Sequence, residues 1–341
     1  MKERNLSRER GSLNSISIFL SVIAIGVIIG GLFFNSTSDD NTKSPYSLND
    51  NTGKVYFSPP ELPDTLNFAG EPVPLQDFDV KEALDREMLV NTYFHSQTLL
   101  FIKKAPRYFH VIEPILKEQG VPDDFKYLAL AESSFFDRAV SPAGAVGIWQ
   151  FMKPTARDYG LEVNNEVDER YNLVKATQAA CKYLKHNYEK YGSWTMVAAA
   201  YNAGRTGVAR QIVRQKNHNY YDLLLGEETG RYVYRILALK LILSDPENYG
   251  FKVPKDEIYP IIPTYNITID GPVDDFADFA REHGVNYKIL KYFNPWLRET
   301  TLSNPSGKTY VIRLPEEGYR TFHWDKEVNK AEQDSISDQD E

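Results

Sequence analysis

Glu132 is the residue through which this chain could do acid–base chemistry. In the string FKYLALAESSF, Phe125, Leu128 and Glu132 fall on one helical stripe at i, i+3 and i+7, so the carboxylate points where the apolar side chains point. Burial disfavours the charged form, and a place near a helix C-terminus sets the charge against the dipole; both effects raise the pKa. An acid that keeps its proton near neutrality is what general acid catalysis needs. From the helix alone, a surface carboxylate or a buried, paired one at a helix end is the commoner occupant. The strings around Glu132 reverse that reading.

Glu132-Ser133 is followed by Gly147-Ile148-Trp149-Gln150, then Ala200-Tyr201-Asn202-Ala203-Gly204, then Glu228-Thr229-Gly230-Arg231-Tyr232-Val233. In this order and spacing they resemble the family 1 lytic transglycosylases, the soluble lytic transglycosylase domain with a lysozyme-like fold, and among them the membrane-bound D-type enzymes. Phe68 to Leu75, Ala143 to Val146, Lys153 to Ala156 and Val167 to Arg170 extend the likeness over residues 65–315. The second string carries Trp149, as the D-type enzymes do, where many family members have Met or another residue.

The resemblance implies a mainly α protein whose catalytic domain is lysozyme-like (α+β). Its implied substrate is the glycan strand of peptidoglycan, cut at the β-1,4 bond between N-acetylmuramic acid and N-acetylglucosamine without added water. One Glu, here Glu132, first protonates the leaving oxygen and then takes the proton of the muramic acid C6 hydroxyl, closing a 1,6-anhydro ring. That needs one carboxylate rather than the flanking pair of an ordinary glycosidase. Asp137, the next acid downstream, reads as a solvated turn residue. By the same resemblance Ser133 helps hold the acid, and Gln150 with the Gly147 backbone contacts sugar acetamido groups. Tyr201 and Asn202 line the cleft, and Tyr232 lies against Glu132 and orients it. Taken singly, Tyr201 and Tyr232 also read as core aromatics. A goose-type hydrolytic muramidase with the same Glu, and a catalytically silent wall-binding scaffold, are the alternatives; a scaffold would not need the acid.

Composition narrows the field. Hydrophobic residues make up 42% of the 341-residue chain, ample for a core. Of the net charge of −8, the tail from His323 to Glu341 supplies −5, through seven acids and two lysines. Nothing resembles the basic patch of a nucleic-acid binder. The single cysteine, Cys181, excludes an intramolecular disulfide and a cysteine metal cluster, and reads as a small buried residue in the helical string TQAACKYL. The six histidines show no metal-ligand spacing, and His110 with Glu113 reads as a structural pair. No metal and no cofactor are expected.

The layout follows from composition shifts. Residues 1–15 carry Lys2, Arg4, Arg8 and Arg10 ahead of an apolar run, Ile16 to Phe34, long enough at ~1.5 Å per residue to nearly cross a ~30 Å hydrocarbon core. The charge bias predicts a cytoplasmic N-terminus and a single-pass inner-membrane anchor, with the catalytic domain in the periplasm. A cleaved signal peptide is the alternative, but no small-x-small site follows the run. Residues 35–63, rich in Ser, Asn, Asp, Thr and Pro, read as a flexible tether, and 64–247 as the catalytic domain. In it, helices are expected at Val80 to Lys104, His110 to Glu118, through Glu132, Lys175 to Tyr191, Thr195 to Tyr201, Val208 to Gln215 and Tyr232 to Leu243. Residues 248–263 read as a linker. Strand, helix, helix and strand patterns within 264–315 resemble a LysM module, which would add affinity for glycan strands. Residues 316–341 read as an acidic, unstructured tail.

Overall fold

The computed structural model describes residues 58–318. The expected anchor at 16–34, the tether up to residue 57 and the tail beyond 318 lie outside the described residues. Among the described residues no helix is long and apolar enough to cross a membrane.

A short antiparallel pair, β1 (Asn67–Phe68) and β2 (Glu71–Pro72), opens the described chain. Helices α1 (Phe78–Tyr93), α2 (His95–Glu118), α3 (Phe125–Ser133), α4 (Lys153–Asp158), α5 (Leu173–Tyr191), α6 (Trp194–Ala203), α7 (Arg205–Gln215) and α8 (Glu227–Ser244) follow. The chain then forms β3 (Thr264–Ile269), α9 (Phe276–Glu282), α10 (Tyr287–Phe293) and β4 (Tyr310–Pro315). The described residues are thus mainly helical, and the strands among them form two small two-stranded sheets.

One expected boundary moves. The helix predicted from Val80 to Lys104 breaks at Phe94, whose ψ of 59° leaves the helical region, and the segment after it runs unbroken through the gap expected before His110. Thr98 Oγ1 donates to Asn91 O across the break at 2.5 Å. Pro106 and Pro114 lie inside α2, where sequence rules predict an interruption. Residues 248–263 bond to the same helix: Tyr259 N donates to Lys103 O at 2.9 Å and Arg107 Nε to Pro260 O at 3.0 Å. The segment expected to be a linker therefore lies along α2, with Tyr249 and Phe251 buried in the core.

Helix α3 is the centre of the first core. Phe125, Leu128, Ala129 and Leu130 are all fully buried, so it is apolar nearly all round, as a helix enclosed by others must be. It packs against α2 and α8. Glu71 anchors another side of the core: its carboxylate accepts from Ser193 Oγ (2.8 Å), Thr195 N (2.9 Å) and Thr195 Oγ1 (2.6 Å), and so caps the N-terminus of α6 from 122 residues away. The string around Glu71 thereby has a structural purpose. Cys181 is fully buried in α5, where burial pushes its thiol up to about 12.

The second core belongs to the C-terminal module. β3 and β4 pair antiparallel from Thr264 opposite Pro315 to Ile269 opposite Tyr310, and the side chains of Asp275 and Asn286 cap α9 and α10. Phe276, Leu290, Trp296, Ile312 and Leu314 fill this core, joined by Val167 from the helical unit.

Candidate active site

Glu132 stands in the last turn of α3, and the chain reverses at once behind it through Ser134 and Phe135, both at positive φ. Phe135 holds that turn down by stacking on Tyr108 at 4.5 Å between ring centroids. The carboxyl is left at the edge of the core, half-buried. Tyr232 of α8, itself 1% exposed, donates its hydroxyl to Glu132 Oε1. Desolvation raises the Glu132 pKa, while the Tyr232 bond and the Arg235 cation lower it, and the balance stands at about 7. Burial and the charge of Glu132 in turn hold the Tyr232 phenol well above its ordinary range. An acid poised at neutrality can give a proton and take one back.

The other predicted residues are distributed around this pair. Tyr201 of α6 donates to Trp149 O at 2.6 Å, tying its helix to the loop of residues 139–152, and its phenol is raised by burial and by the nearby Glu132 charge. Asn202 Oδ1 accepts from Thr229 Oγ1 at 2.8 Å, joining α6 to α8 beside Tyr232. Gly147 takes φ +79°, and a Cβ there would lie 2.1 Å from Arg170 O, so glycine is required on both counts. Gln150, also at positive φ, turns its Nε2 back onto Gly147 O (2.7 Å) and Ala139 O (3.3 Å). The Ser133 hydroxyl is donated to Ala129 O at 3.0 Å, within its own helix, which leaves the orientation of Glu132 to Tyr232.

Asp137 lies in a turn, as expected, but is half-buried rather than solvated. Burial raises its pKa, and it is hydrogen-bonded to the Tyr108 phenol with Lys104, Arg107 and Arg313 nearby. The Tyr108 phenol thus engages the second acid of this region, in a field of nearby cations.

A charged cluster beside Tyr232 is not among the predicted site residues. Glu87 of α1, with a side chain 1% exposed, accepts from Arg231 Nε at 2.7 Å and lies 3.8 Å from Arg235 Nε. Arg235 also pairs with Glu228 at 3.0 Å. Through these contacts α1 sets where Arg235 stands, and Arg235 acts on the charge of Glu132. The sequence signal was available: Glu87 interrupts the apolar series Val80, Leu84, Met88 much as Glu132 interrupts its own.

Comparison with known proteins fits this layout. Residues 110–224 match the transglycosylase SLT domain, and residues 265–318 the soluble lytic transglycosylase C-terminal LysM-like domain. The chain is 30% identical over 238 residues to the membrane-bound lytic murein transglycosylase D of Escherichia coli K12, covering 68% of this chain and 51% of that protein. It is 30% identical over 142 residues to the peptidoglycan transglycosylase gp16 of Escherichia phage T7, covering 40% of this chain and 11% of the phage protein. Among solved structures, the soluble lytic transglycosylase SLT70 of Escherichia coli aligns with a TM-score of 0.34 at 19% identity, over 42% of this chain and 25% of that one. The chain spans about half the length of the Escherichia coli relative it matches. It carries, in order, a transglycosylase SLT domain and a C-terminal LysM-like domain of the soluble lytic transglycosylase type.

Proposed function

We propose that the protein is a peptidoglycan lytic transglycosylase in which Glu132 is the sole general acid and base. The observation that carries this reading is the state of that one carboxyl, poised at about 7 and bonded to Tyr232. Protonated, it gives its proton to the glycosidic oxygen as the bond to the muramic acid C1 breaks. Ionised, it is stabilised by Tyr232 and Arg235 and accepts the proton of the C6 hydroxyl as that oxygen closes on C1. The anhydro end and the released sugar together retain every atom of the strand, so no water is consumed. Engagement of Asp137 with the Tyr108 phenol supports a one-carboxylate mechanism over one with two.

Tyr201, Asn202, Gly147 and Gln150 form the wall on which the sugars lie in this proposal. Tyr201 and Asn202 fix α6 against the loop and against α8, and the loop presents backbone and amide groups to acetamido substituents. The charge bias and length of the apolar run at 16–34 would anchor the chain in the inner membrane with this site in the periplasm; the Escherichia coli relative is named as membrane-bound. The LysM-like module would add affinity for glycan strands.

Purified cell-wall sacculi digested by the protein test the reaction. Soluble muropeptides lighter by one water than their hydrated forms, absent with Glu132→Gln, are the expected result. Hydrated products dependent on Glu132 would make the protein a hydrolytic muramidase, and wall binding without release would make it a scaffold.

A further inference from the structure

The loop that carries Gly147 and Gln150 does not rest on the helical unit alone. Its carbonyls at Phe151 and Gly144 accept the Arg170 guanidinium at 3.1 and 3.3 Å, and Arg170 O fills the space beside Gly147. Asp168 grips the same guanidinium at 2.9 and 2.7 Å. The segment bearing this pair is seated in the C-terminal module: Val167 is buried in the module's core and bridges Leu297. On either side of it, Asp168 N donates to Trp296 O at 2.9 Å and Arg298 N to Glu166 O at 2.7 Å. Glu166 takes Ser303 Oγ at 2.7 Å, and Glu162 takes Lys308 Nζ at 2.5 Å. A second, independent contact reaches the turn behind Glu132, where Arg138 Nη2 donates to Lys291 O at 2.9 Å.

We propose that the LysM-like module is a positioning element of the catalytic site: seated on segment 162–171 and on Arg138, it holds the 139–152 loop and the turn after Glu132 in place. Glycan capture alone would not require such contacts. A tethered capture module raises local substrate concentration without touching the chemistry, whereas a buttress sets how long the loop spends in the shape that meets the substrate. Val167 gives the physical reason for coupling, since it cannot leave the module's core without exposing apolar surface and releasing the backbone that carries Asp168 and Arg170.

The test uses the full chain with Glu166→Ala and Lys308→Ala combined, and separately Arg138→Ala, a single polar change at the second contact. Amide hydrogen exchange is followed without substrate at Gly147 and Phe151, whose N–H groups are bonded to Ala139 O and Val146 O. Exchange across 139–152 is expected to accelerate by roughly tenfold in the double variant, with α5 unchanged as the control for folding. On soluble glycan oligomers, kcat/KM is expected to fall several-fold. The kinetic arm rests on the transglycosylase reading and the exchange arm does not; if the parent protein cleaves no glycan, exchange alone decides. Loop exchange at the parent's rate in both variants, or kcat/KM at the parent's value, overturns the proposal.

Discussion

At the scale of residues, the site is a contest over one proton. Crowding by protein atoms favours neutral Glu132, while Tyr232 and Arg235 favour the charged form. The glycosidic oxygen must meet the protonated acid, so kcat/KM is expected to fall as pH rises through about 7. In Tyr232→Phe one support of the carboxylate is gone, the pKa rises, and the alkaline limb of the pH–rate profile moves to higher pH while the maximal rate drops. The same shift affects stability. Because the folded pKa exceeds the ordinary 4.5, this group costs nothing below that value, and its cost grows until pH passes about 7. Glu132→Gln removes the cost, so the variant is expected to be more stable than the parent by up to about 3 kcal/mol at pH 8 and by little at pH 4. Urea titrations at the two pH values check the sign. The placement of Glu132 is legible in the sequence because helical periodicity is local. Glu87 is marked locally by its place in an apolar series, but its partner Arg231 stands 144 residues away and cannot be read from that series.

At the scale of elements, two residues fix geometry that their neighbours use. Gly147→Ala drives a methyl group into Arg170 O at a backbone angle that L-residues avoid, and is expected to cost about 2–4 kcal/mol, read as a lower denaturation midpoint. Glu71→Gln neutralises the cap of α6, the helix that ends in Tyr201 and Asn202, with an expected loss of about 1–3 kcal/mol. The last strand–helix–helix–strand set is readable nearly residue by residue, since its helices start at Asp275 and Asn286 and its strands alternate. The α1–α2 break is not. Phe94 carries no helix-stop chemistry, and Pro106 and Pro114, which do, sit inside a helix held by tertiary packing, with Tyr259 bonded to its Lys103 carbonyl.

At the scale of the whole molecule, two cores are joined by one segment that belongs to both. Val167 fills the second core while Arg170, three residues on, braces the loop of the first. The described units are therefore expected to unfold in one transition, coincident by near- and far-ultraviolet circular dichroism, despite their separate cores. Composition could separate the C-terminal module from the helical unit, but not show that the two are pressed together, because that depends on pairings between residues more than a hundred positions apart.

The central claim is that Glu132 ends the reaction by closing a ring instead of admitting water. Digestion of sacculi in oxygen-18-labelled water tests this most directly, because a hydrolase places one solvent oxygen in each new reducing end and a ring-closing enzyme places none. Released muropeptides that carry no label and disappear with Glu132→Gln are the predicted result; one labelled oxygen for every bond cut would contradict it.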